Sequence, residues 1–202
     1  MENANDYEVQ VKKLYKSYGS NLVLENLNMN FPKNKITVIT GPSGCGKTTL
    51  LNIISGIEKP DSGEVVMNDQ SISFIFQEDR LLPQFTVYQN IAFVLKSTMT
   101  PAEMRPAIEK YMALVKLTDA MDKLPSQLSG GMKRRVAIAR AFAYRSRLLI
   151  MDEPFKGLDD KLKKEIIDQF LQIYREDKRT VILVTHDMKE AELLGDNIYS
   201  LK

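Results

Sequence analysis

The sequence predicts an α/β domain built on a mostly parallel sheet, with a helical segment inserted in its middle. Three observations predict it. Lys35 to Thr40, Leu148 to Met151 and Val181 to Thr185 are short apolar runs rich in Ile, Val or Leu, each bounded by polar residues, as buried strands are. Apolar residues recur at helical spacing at Ile108, Tyr111, Met112 and Val115, and again at Leu162, Ile166, Phe170 and Tyr174. From about Glu78 to Ser126 the pattern is helical and lacks strands, so these residues are expected to form a helical subdomain within one domain spanning residues 1–202. Strands that alternate with helices point to parallel pairing.

Composition excludes several classes. With 44% hydrophobic and 27% charged residues, the chain is expected to bury an ordinary soluble core. A net charge of +2 is too small to argue for a nucleic-acid partner. Lys133, Arg134 and Arg135 form a basic run, but no aromatic residues interleave them, so a solvated helix face is expected. One cysteine allows no internal disulfide and fits a reducing compartment. The polar start, Met1 to Asp6, does not read as a secretory signal. No apolar run approaches the roughly 20 residues that span a bilayer.

The first chemical signal is Gly41-Pro42-Ser43-Gly44-Cys45-Gly46-Lys47-Thr48, followed by Thr49. It fits G-x-x-x-x-G-K-[ST], lies between an apolar strand and an apolar helix from Lys47 to about Ile54, and predicts ATP binding. Its glycines allow backbone angles that turn successive N–H groups toward phosphate oxygens. The helix start adds positive potential. Lys47 is placed to reach the β- and γ-phosphates and Thr48 to ligate Mg²⁺. Cys45 reads as a small residue filling a loop position.

Leu148 to Met151 ends in Asp152 and Glu153. Parallel strands present ligand groups at their C-terminal ends. Asp152 is placed to hold Mg²⁺, directly or through water, and Glu153 to polarise an attacking water. Leu128-Ser129-Gly130-Gly131-Met132 reads, taken alone, as a serine cap and glycine turn opening a helix from Lys133 to Tyr144. Gln77 precedes it, and Gly157-Leu158-Asp159 and Thr185-His186-Asp187 follow. His186, the only histidine, ends an apolar strand where a γ-phosphate could be contacted.

This ordered set resembles the nucleotide-binding domain of ABC transporters over essentially the whole chain. The resemblance implies a P-loop NTPase core with a mostly parallel sheet, a reduced antiparallel β subdomain and the inserted helical subdomain. It implies a head-to-tail homodimer formed on ATP binding, in which Ser129, Gly130 and Gly131 contact the γ-phosphate held by the other subunit. It makes Glu153 the general base, His186 a γ-phosphate clamp, Gln77 a sensor of Mg²⁺ and water, and Asp159 a bridge across the dimer. Tyr18, just after the first strand, looks like the aromatic that stacks on adenine, with a plain surface tyrosine as the alternative. The implied partners are integral-membrane permease subunits and a solute-binding protein. The implied place is cytoplasmic, peripheral on the inner face of the cell membrane.

Gln77-Glu78-Asp79-Arg80-Leu81-Leu82-Pro83 and Glu153-Pro154-Phe155-Lys156-Gly157-Leu158-Asp159 are similar to nitrate, sulfonate and taurine importer ATPases. An exporter or lipoprotein-release ATPase and a soluble ABC ATPase are the alternatives. The intact Asp152-Glu153 pair and His186 argue against a regulator without turnover. Four departures stand out: Met132 where Gln is commoner, Lys156-Gly157 in place of Ser-Ala, a short Gly63 to Gln77 stretch, and an end soon after His186, from which no C-terminal regulatory domain is expected.

Overall fold

The computed structural model describes residues 6–176 and 178–201, so Met1 to Asn5 of the polar start lie outside the described residues. The chain divides into two compact units: residues 1–72, 146–153 and 178–202 in the first, and 73–145 and 154–177 in the second.

The first unit holds two sheets. β1 (Tyr7–Tyr18), β2 (Asn21–Pro32) and β4 (Ser62–Met67) form an antiparallel sheet in the order β2-β1-β4. β1 and β2 meet at Tyr18 and Asn21 across a two-residue turn, where Gly19 takes φ 60°. Val9, Val11 and Leu14 of β1 are buried. The step from Val11 to Leu14 shifts the register, with Lys13 at φ 48°, and the step from Leu14 to Lys16 shifts it again, with Asn26 opposite at φ 45°. A bulge of this kind bends the strand and resets which face each side chain occupies.

The second sheet is parallel. β3 (Ile36–Thr40) pairs with β7 (Thr180–Val184) and β8 (Asn197–Ser200), and β7 also pairs with β6 (Leu148–Asp152). Every residue of β3, β6 and β7 is buried, which is why these strands read as continuous apolar runs. α1 (Lys47–Ile54) and α6 (Met188–Leu194) complete the unit. β5 (Ile72–Ile75) leads out of it.

The second unit is helical: α2 (Val87–Leu95), α3 (Pro101–Leu114), α4 (Gly130–Ala143) and α5 (Asp160–Glu176). Thr86 with Gln89 and Thr100 with Glu103 form capping boxes that open α2 and α3. Ile108, Tyr111 and Met112 of α3 are buried, and Phe142 of α4 stacks on Phe170 of α5 at 5.1 Å between centroids. The basic run on α4 is not a solvated face. Arg134 is buried and bonded, and Arg135 donates to the carbonyls of Val115 and Lys116.

Candidate active site

The chemistry-bearing residues of the first unit gather where β3, β6 and β7 end. After β3 the chain turns through Gly41, Gly44 and Gly46 at φ 147°, 84° and 93°. These left-handed angles are open to glycine at little cost. Gly46 caps α1 with no side-chain bond to the helix, so the first-turn amides remain available as donors. A Cβ on Gly46 would lie 2.8 Å from Leu24 Cδ2 and 2.9 Å from Val23 Cγ1. Gly46→Ala is therefore expected to cost about 2 kcal/mol from the left-handed backbone alone. The unfolding midpoint should fall by about 5 °C, and an unchanged midpoint in a thermal melt would contradict this packing.

Lys47 is buried, and its Nζ donates to Gly41 O at 2.8 Å and Pro42 O at 2.7 Å. The ammonium is thus held over the loop it follows. Thr48 Oγ1 donates to Asp152 Oδ2 at 2.8 Å. A hydroxyl and a carboxylate so placed are two hard oxygen donors, the kind that Mg²⁺ takes beside phosphate oxygens and water. The donor set therefore fits the ion.

Glu153 leaves β6 at φ 45°, a rare angle for a residue with a Cβ. Its N–H donates to Val184 O at 2.9 Å, which holds the turn. His186 Nδ1 lies 3.3 Å from Glu153 Oε1, and the imidazole side is 63% exposed. The turn carrying His186 is braced from beneath. Thr185 Oγ1 donates to the buried Glu190 at 2.7 Å and accepts from Asp187 N at 3.1 Å, while Asp187 caps α6 through Lys189 N.

Tyr18 is the last residue of β1 rather than a residue beyond it. Its hydroxyl donates to Glu58 at 2.6 Å, and Lys16 Nζ bridges to Glu58 at 3.1 Å. The hydrogen bond with Glu58 pushes the Tyr18 hydroxyl above its usual range and the Glu58 carboxyl below its own. The Thr49 side chain acts on the Tyr18 hydroxyl in the opposite sense, so the exposed ring lies near the start of α1.

Gln77, Ser129, Gly130, Gly131 and Asp159 belong to the second unit. Ser129 caps α4 by accepting from Met132 N at 3.3 Å. Gly130 and Gly131 have no left-handed angle, and a Cβ on either would meet nothing within 4 Å. Neither the backbone nor any neighbour requires glycine there, so the bare helix start suits close approach from outside the chain. Asp159 accepts from Leu162 N at 3.0 Å and so caps α5.

Residues 24–156 match the family described as ABC transporter. The chain belongs to the ABC transporter family. Its fold superposes on the dimeric ABC transporter cassette MJ0796 with a TM-score of 0.88 and 32% identity, covering 96% of this chain and 94% of that one. The same cassette in a post-hydrolysis state bound to ADP and Pi gives a TM-score of 0.86 at 33% identity, with the same coverage. The bicarbonate transport ATP-binding protein CmpD of Synechocystis is 41% identical over 93% of this chain and 71% of its own length. The spermidine/putrescine import ATP-binding protein PotA of Legionella pneumophila is 38% identical over 94% of this chain. The chain spans 55% of PotA, about half the length of that curated relative. The P-loop NTPase core with a parallel sheet and a small antiparallel sheet is the fold of this family.

Geometry adds Glu58 and Glu190 to what the sequence named, and moves Arg134 from a solvated face to a buried one. A Thr-x-Asp-x-x-Glu spacing at Thr185 to Glu190 was the one signal for the bracing pair. For Glu58, which lies 40 positions from Tyr18, no local signal exists.

Proposed function

We propose that the chain is the ATP-binding and ATP-hydrolysing subunit of an ABC transporter, energising solute import through a separate membrane permease. The observation that carries this is the cluster at the strand ends, where Thr48 bonds Asp152 and Glu153 lies beside His186 behind the glycine loop. Gly41 to Thr49 cradle the triphosphate through backbone N–H groups, and Lys47 swings from its two carbonyls to the β- and γ-phosphates. Thr48 and Asp152 would hold Mg²⁺, which would neutralise phosphate charge; Gln77, the expected sensor of the ion and of water, lies in the second unit. Tyr18 stacks on adenine. Glu153 takes the proton of the attacking water as its oxygen bonds to the γ-phosphorus and the bond to the bridging oxygen breaks, leaving ADP and phosphate. His186 steadies the γ-phosphate.

A second copy supplies Ser129, Gly130 and Gly131 head to tail, with Asp159 bridging the interface. Closure excludes water and concentrates donors on the γ-phosphate. The differential affinity of ATP for the closed dimer is what performs work on the permease. CmpD and PotA are named for bicarbonate and for polyamines, cargoes of opposite charge. A shared cassette therefore suits coupling, with cargo choice left to the permease and a solute-binding protein. Among the described residues no helix is long and apolar enough to cross a membrane. Attachment to the inner face through the permease belongs to the same proposal.

The permease-facing surface we assign to the loop after Gln77. Asn90, 1% exposed, accepts from Leu82 N and donates to Leu82 O and Phe85 O at 2.8, 3.1 and 2.9 Å. This pins the loop so that Phe85 lies 6.0 Å from Phe93, itself 53% exposed. A rigid aromatic pair at the surface is suited to a permease helix. Phe85→Asp is expected to keep ATP binding yet release the chain from membranes, because the contact would bury an unpaired charge. Co-expression with the candidate permease and membrane fractionation check it. A membrane-bound, transport-competent variant would move the coupling surface elsewhere, and wild type found on ribosomes instead would overturn the transport reading.

A further inference from the structure

α4 presents two arginines to one short run of backbone. Arg134, 4% exposed, donates through Nε to Pro154 O at 2.7 Å and through Nη1 to Phe76 O and, at 3.3 Å, to Gln77 O. The same nitrogen lies 3.6 Å from Asp79 Oδ1. Further along the helix, Arg140 donates to Arg80 O at 2.9 Å and Asp79 O at 3.1 Å. Arg80 in turn lies 3.9 Å over the Phe76 ring, which stacks on Phe74 at 4.0 Å.

A buried guanidinium is costly unless its donors are met. Here three backbone carbonyls accept from it, and the Asp79 carboxylate stands further off at 3.6 Å. The identity of the acceptors is informative. One is the carbonyl of Gln77 itself, and another belongs to Pro154, next in the chain after Glu153. The donor stands on the helix that Ser129 caps, close to its start. One side chain thus ties α4 to the backbone of the Gln77 loop and of the residue that follows Glu153.

We propose that Arg134 is a positioning residue for ATP hydrolysis, fixing Gln77 and the turn after Glu153 to the helix that begins at Ser129. Contact made by that helix start then sets the two loops together. The proposal rests on the ATPase reading above. The planar fork matters, because a lysine ammonium is a single compact donor centre and cannot serve Nε- and Nη1-side acceptors at once.

The test measures ATP turnover and ATP affinity for wild type, Arg134→Gln, Arg134→Lys, Gln77→Ala and the Arg134→Gln/Gln77→Ala double variant. For both Arg134 variants kcat should fall about tenfold, as for a small misplacement of reacting groups, with the ATP Kd within about threefold because the phosphate loop is untouched. The double variant should be no slower than its slower parent, the mark of residues acting as one unit. Arg134→Lys keeps charge and stem and serves where Arg134→Gln fails to fold. A merely structural Arg134 would lower the unfolding midpoint and leave kcat per folded chain unchanged, or its loss would multiply with that of Gln77→Ala; either result overturns the proposal. Absence of turnover in wild type overturns the ATPase reading and the proposal with it, whereas full turnover in both Arg134 variants overturns the proposal alone.

Discussion

Glu153→Gln is expected to bind ATP normally, to lose turnover by about a thousandfold, and to accumulate as an ATP-bound dimer. General-base catalysis contributes about 10²- to 10⁴-fold, and the amide has no basic lone pair to take the proton of water. It fills the same space, and it can still accept from His186 at the 3.3 Å separation seen for the carboxylate. Removing the negative charge also relieves repulsion with the γ-phosphate, so the closed form gains. Size-exclusion chromatography with ATP should show dimer for the variant and mostly monomer for wild type. Robust hydrolysis by the variant would place the base elsewhere, with His186, the adjacent titratable group, the first to examine.

Lys47→Ala is expected to weaken ATP binding by about a hundredfold or more. Charge-assisted hydrogen bonds contribute about 1.5–3 kcal/mol each, and loss of about 3 kcal/mol corresponds to about two decades in Kd. The folded chain should survive the change. Lys47 donates to the carbonyls of Gly41 and Pro42 on an outer loop, not to the strand core. Calorimetric titration with ATP, paired with a thermal melt, separates lost affinity from lost fold. Near-normal affinity in a folded variant would remove the Gly41 to Thr49 loop from the site.

The phosphate loop was legible because its function is made by contiguous backbone, and three glycines with left-handed angles announce that backbone in the sequence. β3, β6 and β7 were legible to within a residue at each end because every residue in them is buried. The β1–β2 hairpin was not. Its buried residues change phase between Val11 and Leu14, and a register shift hides the period-two alternation that marks a strand. Thr48 and Asp152 were each readable, but their 2.8 Å contact joins residues far apart in the chain. The sequence placed Arg134 on a wet helix face because a basic run usually lies there. That it is buried depends on carbonyls from Phe76, Gln77 and Pro154, which no spacing rule reports. Glu58 stayed hidden for the same reason, since its hydrogen bond to Tyr18 is made by the fold and not by a motif.

ATP is expected to be hydrolysed on the Gly41 to Thr49 loop only when a second copy of the chain closes over it. Release of inorganic phosphate from MgATP, measured across a range of chain concentrations, tests this most directly. Activity per chain should be low when the protein is dilute, rise as pairs form, and level off once pairing is complete, with Glu153→Gln inactive throughout. Activity per chain that stays constant down to concentrations where chromatography with ATP shows only monomer, or no phosphate release at any concentration, would contradict it.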